Sequence, residues 1–207
     1  MGDKVKLAII YYSSTGTNYQ FAQWAREAAE AAGAEVKLLK VPELAPLSAI
    51  ESNPAWHAHY KATTDVPTAT VDDMVEADAI IFSVPTRFGN MAAQMKQFFD
   101  TAGGAWAQGK LANKVVSAMS SAQNPHGGQE ATILSLYTTM YHWGAIVASP
   151  GYTDPKLFAA GGNPYGTSAS VTQEGEMVGA PEVKEAVGVQ TRRTLEVAGW
   201  VKKGLNG

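Results

Sequence analysis

The chain has 207 residues, 45% of them hydrophobic, and a formal net charge of −3 at pH 7. This charge excludes a strongly basic surface for binding nucleic acid, and no apolar run is long enough for a signal-peptide core or a membrane span. The absence of cysteine excludes disulfides, thiol catalysis and thiolate-bound zinc, and it fits a reducing compartment, so we expect a cytoplasmic protein without membrane insertion.

Apolar runs typical of strands alternate with stretches whose apolar residues recur at helical spacing. The third strand is apolar on both faces, as a central strand of a parallel sheet should be. Strands separated by helices indicate a parallel sheet with helices on both faces. In chain order the predicted elements are strand Lys4–Tyr12, helix Asn18–Ala32, strand Glu35–Lys40, helix Val71–Ala77, strand Asp78–Val84, helix Asn90–Thr101, strand Lys114–Ser120, helix Gln129–Trp143, strand Ile146–Ser149 and helix Pro181–Lys203.

The connections between these elements restrict the topology. Right-handed crossovers leave few ways to order five such strands, and 2-1-3-4-5 is the expected order. We therefore predict one α/β domain over residues 1–207, built on a doubly wound five-stranded parallel sheet. Two segments, near 41–70 and 150–180, exceed the usual connection length and are typical of functional loops or subunit contacts. Disorder is the alternative, and the aromatic residues of the first segment argue against it there.

A loop rich in hydroxyl groups, Ser13–Asn18, follows the first strand and opens a helix. Its backbone N–H groups and hydroxyls can surround a phosphate, and the start of the helix adds partial positive charge. The loop contains no Lys or Arg. This favours a permanently held phosphomonoester, as in FMN, over a nucleotide triphosphate that turns over with Mg²⁺. A simple helix N-cap is the alternative.

Two further loops should meet this one, because ligands of doubly wound sheets bind beyond the carboxyl ends of the strands. Residues 85–90 (PTRFGN) combine an arginine, an aromatic ring and a glycine directly before a helix. Residues 121–128 (SAQNPHGG) are polar and rich in glycine, and can hydrogen-bond the edge of a ring. A phosphate at one end and a planar ring at the other describe FMN.

Several motifs together resemble the WrbA family of flavodoxin-like, FMN-dependent NAD(P)H:quinone oxidoreductases. They are YYSSTGTN, PTRFGNMAAQMKQFFDTAGGAWAQGKL, SSAQ followed by GGQEATI, the YHWG run and the later GGNPYG. The resemblance covers nearly the whole chain. It implies a flavodoxin-like fold, bound FMN, NADH or NADPH as electron donor, a quinone as acceptor, and a homotetramer with active sites near subunit boundaries.

The resemblance also implies roles for individual residues. We predict no metal site, and no side chain need act as acid or base, because the reduced flavin and solvent can supply the protons. Thr15 and Trp106 are the implied substrate contacts. The implied cofactor-binding residues are Ser13, Ser14, Thr15, Gly16, Thr17, Asn18, Pro85, Thr86, Arg87, Phe88, Gly89, Ser121, Ala122, Gln123, Gly127 and His142.

This chain departs from the family pattern in two places. Thr15 stands where the family often has an aromatic residue, so stacking on the nicotinamide nucleotide is expected to differ. The third loop reads AQNPHGG, where the family usually has Thr and Gly, so Pro125 and His126 are expected to alter the flavin edge or its access.

Some of these residues have simpler interpretations. Arg87 can hold positive charge near the pyrimidine edge of the flavin, or it can form a surface ion pair. Trp106 can be a wall for stacking substrates or an anchor between subunits. Without the family resemblance, His142 is most simply a buried, hydrogen-bonded residue. His57 and His59 form an H-x-H pair without a third ligand, which does not predict a metal site.

The sequence thus predicts an enzyme that transfers two electrons from NAD(P)H to quinones by a ping-pong mechanism. One alternative is a one-electron carrier of the flavodoxin kind. Another is a binding or regulatory module in which FMN is structural. The sequence does not distinguish NADH from NADPH, because there is no separate dinucleotide fold in which to look for a ribose-binding acid.

Overall fold

The computed structural model describes residues 4–205. Its strands are β1 (Lys6–Tyr11), β2 (Glu35–Lys40), β3 (Ala79–Arg87), β4 (Asn90–Met91), β5 (Val115–Ala122), β6 (Ile146–Val147) and β7 (Ser168–Ser170). Its helices are α1 (Thr17–Ala31), α2 (Leu47–Glu51), α3 (Pro54–Ala62), α4 (Val71–Glu76), α5 (Ala93–Asp100), α6 (Gly103–Ala107), α7 (Gln129–Trp143), α8 (Pro155–Ala159) and α9 (Ala180–Leu205).

The main sheet has the order β2-β1-β3-β5-β6, and these strands pair in parallel. This confirms the predicted order 2-1-3-4-5, because the short β4 only pairs antiparallel with β3 beside the main path. The central strand β3 is buried over its first seven residues, and all of β5 is buried. The carboxyl ends of β1, β3 and β5 therefore lie side by side.

Helices cover both faces of the sheet. Alternate residues of the strands contribute to two apolar cores, as expected for the two-residue period of a strand. On one face α4, α5 and α7 pack over residues such as Ile10 and Phe82. On the other, α1 and α9 pack over residues such as Ile9 and Ile81. This arrangement confirms the predicted flavodoxin-like layering of helices on both faces.

The fifth strand is divided into two pieces. The predicted strand Ile146–Ser149 forms only β6, which pairs with the amino end of β5. After residues 148–167, β7 returns to the same edge and pairs with Ser120–Ala122 at the carboxyl end of β5. The prediction found the first piece and missed the second, because SAS is too short and too polar to stand out as a strand.

Two side chains bridge the gap between β6 and β7. The amide of Ala118 in β5 donates to the hydroxyl of Tyr137 (3.1 Å), which donates to the carbonyl of Tyr165 (2.6 Å). The amide of Gln190 donates to the carbonyl of Ala118 (3.0 Å) and accepts from the backbone N–H of Thr167 (2.6 Å). These buried contacts replace the missing strand-to-strand hydrogen bonds.

Replacing Tyr137 with phenylalanine should lower the free energy of unfolding by about 2 kcal/mol, because the buried Ala118 amide loses its partner. A loss of that size corresponds to a decrease in melting temperature of roughly 4–8 °C. Thermal unfolding measures it. The matched control is Tyr141→Phe on the same helix, where the ring is 64% exposed and little change is expected. Equal melting temperatures for the two variants would contradict the bridging role.

A tight turn precedes the helix predicted at Asn90–Thr101. Asn90 and Met91 pair with Arg87 and Thr86 as β4, so the helix begins only at Ala93. The two residues at the turn have positive φ angles, 54° at Phe88 and 77° at Gly89. Positive φ at both positions is typical of a two-residue hairpin turn. Phe88 therefore projects from the sheet edge instead of packing into a helix.

The two long segments both form regular structure. Residues 41–70 contain α2 and α3, and residues 150–180 contain α8 and β7. Helix α3 begins with Asn53 accepting from the amides of Ala55 and Trp56, and with a proline at its first position. No helix within residues 4–205 is long and apolar enough to cross a membrane.

Candidate active site

Three loops meet at the carboxyl edge of β1, β3 and β5. The guanidinium of Arg87 donates to the hydroxyl of Ser14 (3.1 Å), which joins the second loop to the first. The hydroxyl of Thr86 donates to the carbonyl of Gly127 (3.3 Å), which joins the second loop to the third. The structure therefore brings together the loops that the sequence selected.

The first loop leaves the start of α1 open. Helix α1 begins after Gly16, which has a φ of 109° and provides no side-chain cap, and there is no acidic residue in the first turn. Inside the loop, the amide of Gly16 donates to the hydroxyl of Ser13 (3.0 Å). Uncapped amides and a helix dipole without a nearby carboxylate suit an anion. Thr15 is exposed at this point, and Thr17 is partly buried.

Asn18 connects the loop to two strands. Its side chain donates to the hydroxyl of Ser83 (3.1 Å), and that hydroxyl donates back to the carbonyl of Asn18 (3.0 Å). The hydroxyl of Ser121 donates to the side-chain oxygen of Asn18 (2.6 Å). All three residues are buried. The side chains of Asn18 and Ser121 thus hold the loops in position, and their backbone groups remain the ones to consider for a ligand.

Thr86 organises the contact between the second and third loops. Its hydroxyl accepts from the backbone N–H of Gly89 (3.2 Å) and from the hydroxyl of Thr132 on α7 (2.8 Å). The backbones of Gly89 and Gly128 approach so closely that a Cβ on Gly128 would lie 2.7 Å from the Cα of Gly89. Only glycine permits this approach at a φ of 90°. Thr132 was not among the predicted site residues, because it lies in the first turn of α7, beyond the loop that the sequence singled out.

The remaining predicted residues of these loops differ in accessibility. Pro85 is buried beside Ser121 in the pairing of β3 with β5. Ala122 is buried at the end of β5, whereas Gln123 is exposed. Phe88 is fully exposed at 106% of its reference area. A large apolar ring held in the open by a strained turn is a candidate for contact with a ligand or a neighbouring subunit.

Trp106 and His142 lie elsewhere. The indole N–H of Trp106 donates to the carbonyl of His142 (2.8 Å), so these two residues are neighbours. Next to His142, the carbonyl of Gly144 accepts from the amide of Asn113, which precedes the amino end of β5. Helix α7 starts at the edge of the sheet where the three loops meet and ends beside Trp106 and His142. Its 15 residues span about 22 Å, so these two side chains lie about that far from the loops. Within one chain, Trp106 and His142 are therefore not part of the three-loop site.

A cluster that sequence analysis did not identify lies beside the first loop. The hydroxyl of Tyr12 donates to Glu43 (3.0 Å), and the amide of Gln94 donates to both Tyr12 (2.9 Å) and Glu43 (2.7 Å). Burial, and then Glu43, raise the pKa of Tyr12 well above its usual range, so this phenol stays protonated. The cluster connects the residue directly after β1, the segment after β2 and α5. Its members are distant in sequence and carry no shared motif.

Two cavities flank the three-loop edge. One of about 630 Å³ lies between the start of α7, the 159–163 turn and β7. The other, of about 320 Å³, lies between the ends of β1 and β2 and helix α3. No group of three or more His, Asp or Glu residues within 4–205 is arranged to hold a metal ion.

Comparisons with known proteins give a consistent result. The sequence model of the NADPH-dependent FMN reductase family matches residues 5–154. A protein of Deinococcus radiodurans named NAD(P)H dehydrogenase (quinone) is 54% identical over 193 residues, covering 93% of this chain and 95% of that protein. A protein of the same name from Aromatoleum aromaticum is 40% identical over 205 residues, covering 97% of this chain and 99% of that protein.

The fold is also similar to solved structures. A flavodoxin, WrbA-like protein from Agrobacterium tumefaciens superposes with a TM-score of 0.61 and 19% identity, over 97% of this chain and 99% of that one. At this level of identity the likeness concerns the fold, and it agrees with the flavodoxin-like layering described above.

Proposed function

The chain belongs to the NADPH-dependent FMN reductase family, and from this membership we propose that it is an FMN-dependent enzyme that oxidises NAD(P)H and reduces quinones. Its relatives named NAD(P)H dehydrogenase (quinone) span nearly the whole chain. The resemblance to the WrbA family that the sequence motifs indicated is confirmed. The site residues remain predictions, and the geometry supports a role for each loop.

The uncapped start of α1 is the observation that carries the proposal. A dianionic phosphate needs several donors, and this loop offers backbone amides and hydroxyls with no carboxylate in the first turn. The chain has no Lys or Arg between Ser13 and Asn18. Such a donor set fits a phosphomonoester that stays bound, and FMN carries one. The residues present therefore fit the cofactor.

Bound FMN supplies the chemistry, since it can accept two electrons from a nicotinamide and pass them to a quinone. The chain's own groups bind and orient it. The amides of the Ser13–Asn18 loop would hold the phosphate, and the close approach of Gly89 to Gly128 would place backbone without side chains beside the ring. Arg87 holds positive charge between the first two loops. No side chain is assigned as acid or base, because solvent can supply the protons.

Donor and acceptor should use the site in turn. Both must reach the same edge between the second and third loops, which supports a ping-pong mechanism. Steady-state rates measured while both substrates are varied should then give parallel lines in double-reciprocal plots. Intersecting lines would mean that NAD(P)H and the quinone occupy the enzyme together.

An anaerobic titration tests the function itself. The protein is loaded with FMN and titrated with NADPH, and in a separate sample with NADH, while the visible spectrum is recorded. We expect bleaching to the two-electron reduced state, reversed by benzoquinone, and the comparison shows which donor is preferred. No bleaching with either donor, or reduction by dithionite that stops after one electron, would favour a carrier or a regulatory flavoprotein.

We also propose a homotetramer. Trp106 is 53% exposed, and it lies with His142 at the end of the subunit away from the loops. These side chains can reach a flavin only if a partner subunit presents them. Multi-angle light scattering should give four times the chain mass, and Trp106→Ala should weaken assembly. A monomer with full activity would refute the proposal.

The lack of cysteine favours a cytoplasmic location.

A further inference from the structure

Helix α3 places a histidine directly behind the first loop. The Nδ1 atom of His59 lies 3.6 Å from the position that a Cβ on Gly16 would occupy. The ring of His59 packs against Tyr19 in the first turn of α1, with centroids 5.4 Å apart. Within residues 4–205 the ring nitrogens of His59 have no hydrogen-bond partner. An ionisable group therefore sits against the backbone of a loop that contains no cation of its own.

The surroundings of His59 form the 320 Å³ cavity. The ionisable groups around His59 come from five segments: the end of β1 (Tyr11, with Tyr12 directly after it), β2 (Lys40), the residues after β2 (Glu43), α1 (Tyr19) and α3 (Tyr60). Burial raises the pKa values of Tyr11 and Tyr12, so both stay neutral. Glu43 is bonded to Tyr12 and Gln94. Among the residues that the structure describes, no carboxylate is hydrogen-bonded to His59.

We propose that His59 is a phosphate-binding residue of the FMN site, whose imidazolium form supplies from behind the loop the positive charge that Ser13–Asn18 lack. The inference rests on the proposed function, because the anion in question is the phosphate of FMN. It makes His59 a determinant of specificity for FMN over riboflavin, which lacks the phosphate. Neither local spacing nor the H-x-H pair indicated this role.

The proposal has a defined pH dependence. Burial, and then the neighbouring Lys40, lower the pKa of His59 below its usual range in the flavin-free protein. A phosphate beside the ring favours the charged form and raises this pKa. The gain in affinity is therefore complete below the pKa of the free protein, and it is lost as the pH rises through the pKa of the complex.

The test compares two flavins by fluorescence quenching, at pH 5.5 and pH 8.5, in wild type and His59→Gln. At pH 5.5 we expect the variant to bind FMN roughly three- to tenfold more weakly than wild type, from one charge near the phosphate. The two proteins should bind riboflavin equally, and at pH 8.5 their FMN affinities should converge. The phosphate titrates near pH 6 in both proteins, so the difference between them isolates His59.

Two further variants sharpen the result. His57→Gln changes the same residue type on the same helix, but His57 does not line the cavity, so its FMN affinity should equal that of wild type. His59→Lys should retain high FMN affinity at both pH values, which tests the charge if His59→Gln folds poorly. Equal FMN affinities for wild type and His59→Gln at pH 5.5 would overturn the inference about His59 but not the proposed function. Failure of wild type to bind either flavin would overturn the proposed function as well.

Discussion

Gly128→Ala should weaken FMN binding by about a hundredfold, which corresponds to about 2.7 kcal/mol. A Cβ at this position would lie 2.7 Å from the Cα of Gly89, which is a backbone atom and cannot move aside as the end of a flexible side chain could. The second and third loops must then separate by several tenths of an ångström. Displacements of that size are costly at a site built from backbone donors. Equilibrium titration with FMN measures the effect.

Gly175→Ala is the matched control for this prediction. Gly175 has a φ of 91°, against 90° at Gly128, so both substitutions place an alanine at the same unfavourable φ. A Cβ on Gly175, however, would meet no atom within 4 Å. The control should lose about 1 kcal/mol of stability and bind FMN like wild type. Unchanged FMN affinity in Gly128→Ala would show that the loops tolerate separation and that their close approach is not needed for FMN binding.

Asn18→Ala should lower the free energy of unfolding by about 3–4 kcal/mol and abolish tight FMN binding. The substitution leaves the buried hydroxyl of Ser121 without a partner. It also removes the amide that donates to the buried hydroxyl of Ser83, which keeps its bond to the backbone carbonyl of residue 18. Buried polar groups without partners are among the most costly defects in a protein. The expected decrease in melting temperature is roughly 6–16 °C. It is measured by thermal unfolding of the flavin-free protein.

A double-mutant cycle shows whether the loss comes from this network. Asn18→Ala and Ser121→Ala each break the 2.6 Å hydrogen bond, so together they should cost less than the sum of their separate effects. Ser135→Ala is a control, because the hydroxyl of Ser135 bonds only to a carbonyl within its own helix. Additive losses for Asn18 and Ser121 would mean that the two side chains act independently.

Elements with strong local signals were predicted well from the sequence. Helix α7 was predicted at its exact bounds, and β2 likewise. The order of the parallel strands followed from the alternation of strands and helices, since crossover handedness leaves few alternatives. The identity of the three loops at the sheet edge followed from the same order. Assigning roles to single residues of those loops depended on resemblance to a family.

Other features had no local signal. The strand β7 is three residues long, and it is held at the edge by Tyr137 and Gln190, which lie far from it in sequence. Helix α5 begins later than predicted, because residues 90–91 form strand β4 after the turn at Phe88 and Gly89. For β7, tertiary contacts outweighed the propensity of a short segment. For α5, the cause is a local hairpin, since Asn90 pairs with Arg87 only three residues before it.

The sequence by itself determined the layered α/β architecture, the parallel strand order and a cation-free phosphate loop at the sheet edge, because periodicity and turn chemistry are properties of neighbouring residues. Only the tertiary structure decided that Asn18 bonds to Ser83 and Ser121, which are 65 and 103 residues away. It also separated Trp106 and His142 from the loops and brought His59 against Gly16. Such contacts arise from the packing of whole elements, and no short stretch of sequence encodes them.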